Sequence, residues 1–578
     1  MGAFLLIRKK PDQDIDEIEK TYSPSLDVFK KKNLPLRHRI IRDNFVLYLY
    51  DKYSNQYENL FKINETDFFA GTGSYIYNEK IAEGALNDMH QDHTDNFDFL
   101  KKGWGNYCYI IFKNNKLSIT TDYTGVYIVY CDKDERIFSS SFIAIMRSLK
   151  EKTPLTHEIY EYIYTGTTYD DKTVFKEINR LDSEIVLQLE PERKEIKKTL
   201  EYTKLTPNPT FETAVEEISF HLIEFFKILK KVFGNNICSG LSGGYDSRLL
   251  LSLMRKVGIK PYLYVYETET LLREFEMADN IAKGENLIIE HFDKGKFKIE
   301  DPSKYPEIIE NNFYMVDGFG AYGIFDNGSN IKSRIERFQK GDLHLNGGGG
   351  EIYRNMWHMA DKSYKIKPFL LSQFDYPVDP DKCTNLFDKN SYMEELERKV
   401  KKIINIDSDT LTQKQWEWLD PFMRTKYWQG YNNCVNNQFA YSLTPYTEDK
   451  LVLQNLDVPF KFKFYGRFEA ALIKFIDPAL AKYPSLYGYN FYDEPPLRKK
   501  TKETIYFNTP AFIKEIKIRK QFNSLSLPYY LKDDYISKIF DTKKLEISKY
   551  VHLDKITNPG MKSRALSLEL LLKDIFQN

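Results

Sequence analysis

The sequence predicts a mixed α/β protein in two parts, an antiparallel-sheet part over residues 1–205 and a parallel-sheet part with added helices over 210–578. Three observations lead there. Residues up to about 200 carry short strand-like runs closed by turn residues, a polar stretch with two prolines follows at 204–210, and beyond it long amphipathic helices alternate with brief strands. A chain of 578 residues is too long for one hydrophobic core, which is why two large domains are expected.

The elements follow in order. Residues 1–7 read as a first strand, because their apolar run is too short for a signal peptide and no basic residue precedes it. The next clear strand is 45–50, bounded by Asn44 and Asp51. Further strands are expected at 107–112, 117–120 and 126–130, separated by Asn114-Asn115 and by 122–125 as turns. In the second part, apolar residues recur at helical spacing over 211–232, and Asn235-Asn236 breaks that helix. A strand at 237–241, a helix at 248–257 and a strand at 260–266 complete a strand-loop-helix-strand unit. Such a unit is the usual setting for a nucleotide at the carboxyl end of a parallel sheet.

Composition narrows the function classes. Lys plus Arg and Asp plus Glu both number 83, so no global positive field collects nucleic acid or an anionic membrane. Cys108, Cys131, Cys238, Cys383 and Cys434 are scattered and form no Cys-x-x-Cys, which reads as reduced thiols rather than a disulfide framework or zinc ribbon. No apolar run approaches the length of a membrane span, and the expected location is cytoplasmic, with no nucleic-acid or membrane partner. Asp88, His90, Asp92, His93 and Asp95 sit close together but read as a solvated loop, since a metal site needs fixed geometry.

The chemistry is carried by Ser242-Gly243-Gly244-Tyr245-Asp246-Ser247, directly after a strand. Two glycines let the backbone turn so that amides point at phosphate oxygens beside a helix N-terminus. Ser242 and Ser247 add hydroxyls, and a carboxylate at Asp246 makes sense beside phosphates if it holds magnesium. No Gly-Lys-Ser/Thr follows, and Gly-x-Gly-x-x-Gly spacing is absent. The loop resembles the PP-loop of ATP pyrophosphatases, which cleave between the α and β phosphates. Downstream, a short strand at 342–345 runs into Asn346-Gly347-Gly348-Gly349-Gly350-Glu351 and then a helical segment from Ile352, and four glycines in a row admit close ligand approach.

The two loops together resemble the synthetase domain of the asparagine synthetase family, which includes β-lactam synthetases and lasso-peptide cyclases. In the first part, Ile76-Tyr77-Asn78, residues 105–112, Asp122, Gly125 and Tyr130 resemble that family's glutaminase-type, N-terminal-nucleophile (Ntn) domain; Ser442-Leu443-Thr444-Pro445-Tyr446 follows its C-terminal layout. The resemblance implies ATP held by Leu241, Ser242, Gly243, Gly244, Asp246, Ser247, Val265, Gly347 and Gly348, Mg²⁺ on Asp246 and Glu351, and Glu351 and Lys482 in the catalytic step. Arg498, Lys499 and Lys500 follow Lys482 as further basic residues.

Departures from the family pattern qualify this. Glutamine-dependent members expose a cysteine after the initiator methionine; here that residue is Gly2, so no glutaminase activity is expected. Where the family has Gly-Glu-Gly-x-Asp-Glu, Gly347 and Gly350 stand at acidic positions and Glu351 alone remains. The leading expectation is an AMP-forming amide ligase that joins a small-molecule or peptide carboxylate to ammonia or an amine. Its rivals are a degenerate synthetase kept for binding or regulation, and a PP-loop enzyme of tRNA modification, which a basic face would favour.

Overall fold

The computed structural model describes residues 1–10, 13–54, 56–267, 272–373 and 378–576. Its first part is built from two six-stranded antiparallel sheets. One runs in the order Ile178–Arg180, Tyr130–Asp132, Ile137–Ser139, Ala3–Arg8, Phe45–Tyr50, Leu36–Ile41. The other runs Lys194–Lys197, Ile185–Glu190, Lys116–Thr121, Trp104–Lys113, Phe68–Ile76, Leu60–Lys62.

Strand periodicity explains how they stack. Phe4 and Leu6 face inward with Phe68, Ile110 and Ile119, forming the core between the sheets. Ala3, Leu5 and Ile7 face outward onto Val28 and Phe29 of the helix Ser23–Lys31. On the far side, Phe69 and Ile111 pack on Ala85, Leu86 and Met89 of the helix Ala82–Gln91. The order of layers is helix, sheet, sheet, helix. Because both faces of these strands are covered, Phe45–Tyr50 is buried throughout and its sequence is apolar without alternation.

Two expectations are corrected here. Residues 126–129 form no strand: the buried Asp122 carboxylate accepts the amides of Val126 and Tyr127 at 3.0 and 2.9 Å, and the Ile128 amide points at Cys434 Sγ. Side-chain and sulfur acceptors thus replace a neighbouring strand. Asp88 and His90 lie on the helix Ala82–Gln91 rather than in a loop, with Asp88 paired to Lys80 and Asp92 to Lys102.

The second part contains a parallel five-stranded sheet in the order Ile289–Asp293, Tyr262–Glu267, Ile237–Gly240, Leu343–Leu345, Tyr441–Leu443. The helix Phe211–Phe233, capped by the Thr210 hydroxyl, packs Leu222, Phe225 and Phe226 on one face together with Leu249 and Leu253 of the helix Tyr245–Lys256. On the other face, Phe338 of the helix Ser329–Phe338 meets His344 at a ring distance of 4.5 Å. The mixed α/β composition, with antiparallel sheets followed by a parallel one, is the predicted class.

The parts share structure. One core holds Tyr162 and Tyr164 together with Phe313, Trp416 and Leu570, and Gly105 donates its amide to Glu448 at 2.9 Å. Four of the cysteines are buried, Cys434 is half-buried, and none is in a disulfide. Among the described residues, no helix is long and apolar enough to cross a membrane.

Candidate active site

In the parallel sheet, the chain moves from Ile237–Gly240 to Tyr262–Glu267 on one side, and from Leu343–Leu345 to Tyr441–Leu443 on the other. The strand order therefore reverses between Ile237–Gly240 and Leu343–Leu345, which are adjacent and in register at Ser239 and Leu345. A crevice opens outside the carboxyl ends of strands at such a reversal, where ligands of open parallel sheets bind. Both glycine turns leave the sheet there.

Their approach is close enough to require glycine. A Cβ on Gly350 would lie 2.3 Å from Asp246 Oδ1, and one on Gly347 would lie 3.5 Å from Asp246 Cβ. Gly349 adopts φ +85°, which suits glycine best. On the same turn, Gly348 abuts the side-chain amide of Gln429, whose Nε2 would be 2.6 Å from an added Cβ. Tyr446 Oη donates to the Asp246 carbonyl at 3.0 Å, tying the residues after the fifth strand to the first loop.

Within the first loop, the Ser242 amide donates to Ser247 Oγ at 3.0 Å, the two hydroxyls are 2.9 Å apart, and the Gly244 amide donates to Ser242 Oγ at 3.2 Å. No side chain caps the 12-residue helix that begins at Tyr245. Its N-terminal amides and dipole suit an anion. Leu241 and Val265 are buried in the core beside the loop, with the Leu241 amide donating to the Tyr264 carbonyl at 2.9 Å.

Carboxylates and guanidiniums converge on this loop. Arg354 Nη2 donates to Asp246 Oδ1 at 2.8 Å and Oδ2 at 3.1 Å, while its Nε lies 2.8 Å from Glu469 Oε2. Glu469 is fully buried, and burial, reinforced by the neighbouring Asp246 charge, drives its carboxyl well above the usual range. Burial also pushes Asp246 up, against the pull of Arg354. At Glu351, burial is outweighed by Arg424 and Arg354, so its carboxyl is held low and charged. Behind this cluster, Glu351, Arg354, Asp420 and Lys463 line a cavity of about 20 Å³, room for one water molecule. Asp420, buried in it, is pushed up to about 7 by burial.

The structure thus brings Ser242, Gly243, Gly244, Asp246, Ser247, Gly347, Gly348 and Glu351 together at the strand-order reversal. Lys482 is not brought there: its side chain is exposed, with the ammonium 5.2 Å from the Tyr492 ring. The nearest lysine in role is Lys499, whose ammonium donates to Tyr245 Oη at 3.2 Å and to Tyr489 Oη at 3.4 Å. Burial lowers its pKa. Arg354 and Glu469 were not anticipated. Arg354 stands three residues after Glu351, and a lone acid inside the apolar run of the helix Arg467–Ile476 was a visible signal for Glu469.

Magnesium does not fit this arrangement. Asp246 already accepts two bonds from Arg354, and Glu351 lies in the field of two guanidiniums.

No family model matches the chain, and no curated protein is similar to it. Solved structures give remote matches. One, described as the allosteric regulatory enzyme of purine biosynthesis, aligns with 52% of this chain and 76% of its own, at 8% identity and a TM-score of 0.23. Another, a glutamine phosphoribosylpyrophosphate amidotransferase from B. subtilis complexed with ADP and GMP, aligns with 50% of this chain and 65% of its own, at 9% identity and a TM-score of 0.21. Likeness this slight decides neither fold family nor function.

Proposed function

We propose that the chain is an ATP-dependent, AMP-forming amide ligase of the kind its loops resemble. The observation that supports this most is the meeting of two glycine turns at the strand-order reversal, with Gly350 packed directly on Asp246. ATP lies with its phosphates over the amides of residues 243–247. A substrate carboxylate oxygen attacks the α-phosphorus and pyrophosphate leaves; ammonia or an amine then attacks the acyl carbon and AMP leaves. Negative charge develops on the phosphates in the first step, and Arg354 and the helix N-terminus face it. Glu351, held charged, takes the proton of the attacking amine in this reading.

We read the first part as an Ntn-like amidotransferase domain that releases no ammonia. Gly2 offers no nucleophile, and a Cβ there would lie 2.9 Å from the Asp51 carbonyl oxygen. The amine therefore comes from solution or from the substrate itself.

One observation favours a second reading, a synthetase fold kept for binding alone. Arg354 clamps Asp246 and spans to Glu469, so the loop carboxylate is neutralised without a metal. Incubation with ATP, ammonium and a panel of carboxylic acids separates the two. A ligase releases AMP and pyrophosphate with at least one acid, whereas ATP binding without AMP from any acid supports the binding protein.

A further inference from the structure

A cavity of about 690 Å³ opens beside the second glycine turn, within the size range of small-molecule sites. Gln429 forms part of its wall and also packs on Gly348, so cavity and turn share one side chain. Lys294, which follows the strand Ile289–Asp293, lines it as well and places it along the carboxyl edge of the parallel sheet.

Its charge is out of balance. Arg334 is buried, and its guanidinium is held by amides alone: Asn330 Oδ1 at 3.3 Å, Asn432 Oδ1 at 2.6 Å, and Asn436 Oδ1. Lys294 lies 3.8 Å from the Tyr266 ring centroid. Among the described residues, neither cation has a carboxylate within ion-pair distance. The one acid in the wall, Asp326, accepts the Gly328 amide at 2.6 Å and Asn312 Nδ2 at 3.0 Å on one oxygen, and its charge acts on both cations from beyond ion-pair distance, so two cations face a single acid. Burial lowers Lys294 to about 8 and Arg334 to about 10, the sign that holding both charges here is costly. Buried charges are ordinarily paired, so the buried Arg334, with the half-exposed Lys294 beside it and one acid for the two, leaves a net positive wall that calls for an anion.

We propose that this cavity seats the acid substrate and selects acids with a second anionic group, carboxylate or phosphate. Lys294 and Arg334 hold that group, and the reacting carboxylate reaches the glycine turns past Gln429. The second half of this statement rests on the ligase reading; the anion site itself does not.

The test is calorimetric titration of the full chain with glutarate and 3-phosphoglycerate, each against a singly charged counterpart, butyrate and glycerate. At least one of the two acids with a second anionic group is expected to bind at least about tenfold more tightly than its counterpart, and Lys294→Gln to abolish that preference while changing ATP affinity by less than about threefold. Arg334→Gln should do the same if its thermal transition shows it folded; Lys294, half-exposed, provides the test if it does not. Equal binding of singly and doubly charged acids, no binding of any, or a preference surviving Lys294→Gln overturns the proposal. Selective binding without pyrophosphate exchange would leave the anion site standing and sink the ligase reading. Exchange unaffected by Lys294→Gln would leave the ligase reading standing and overturn the claim that this cavity seats the acid substrate.

Discussion

At the scale of single residues, Arg354 is the side chain on which the site turns, because it touches both Asp246 and Glu469. Asp246→Asn removes the charge that holds it, and pyrophosphate exchange is expected to fall by about 100-fold, the scale of losing one aligned electrostatic group. Gly350→Ala acts differently: its methyl would overlap Asp246 Oδ1, forcing the turns apart, with about 1–3 kcal/mol of stability lost on urea unfolding and exchange lost alongside. Residue types next to a strand end were legible in the sequence, since Ser242, Gly243, Gly244 and Asp246 are local in the chain. Glu469 stood out as a lone acid in an apolar run, but its meeting with Asp246 was not legible, because it lies 223 residues further on and reaches it through the packing of the helix Arg467–Ile476 against Tyr245–Lys256. Lys482 failed to arrive for the complementary reason: its position after a short helix turns it to solvent beside Tyr492.

At the scale of elements, the segment Asp420–Gln429 is wound as a π-helix, an uncommon form that often marks functional sites. It connects the acid cluster to the cavity, for Asp420 lies at one end and Gln429 touches Gly348 at the other. Asp420 carries a pH signature. Its folded pKa of about 7 exceeds the ordinary 3.8, so the fold binds its proton more tightly than the unfolded chain does. The stabilisation is complete below about pH 4 and is lost as pH rises through about 7. Urea unfolding of the wild type and Asp420→Asn at about pH 4.5 and about pH 7.5 should show the wild type losing on the order of 2–4 kcal/mol more than the variant over that interval. Helices with a strong apolar stripe, such as Phe211–Phe233, were readable from periodicity. The irregular path of 126–129 was not, because its apolar residues match a strand while Asp122, four and five residues away, takes the amides a neighbouring strand would need.

At the scale of the whole molecule, an antiparallel four-layer part and a parallel-sheet part are joined through shared core and through contacts such as Gly105 to Glu448. The succession of sheet types was visible in the order of strands and helices, whereas the strand order that creates the crevice depends on pairings between segments more than 100 residues apart. Gly2 belongs at this scale, since it bears on whether a cysteine alone would let the first part feed the second. Gly2→Cys is expected to cost about 1–3 kcal/mol by crowding the Asp51 carbonyl and to yield no glutamine hydrolysis in a glutamate-release assay. The central claim, that the crevice between the glycine turns activates a carboxylate with ATP, is tested most directly by ATP/pyrophosphate exchange across a panel of mono- and dicarboxylic acids. Exchange with at least one acid, reduced by about 100-fold in Asp246→Asn, is the result predicted. ATP binding with no exchange from any acid, or exchange indifferent to Asp246→Asn, would contradict it.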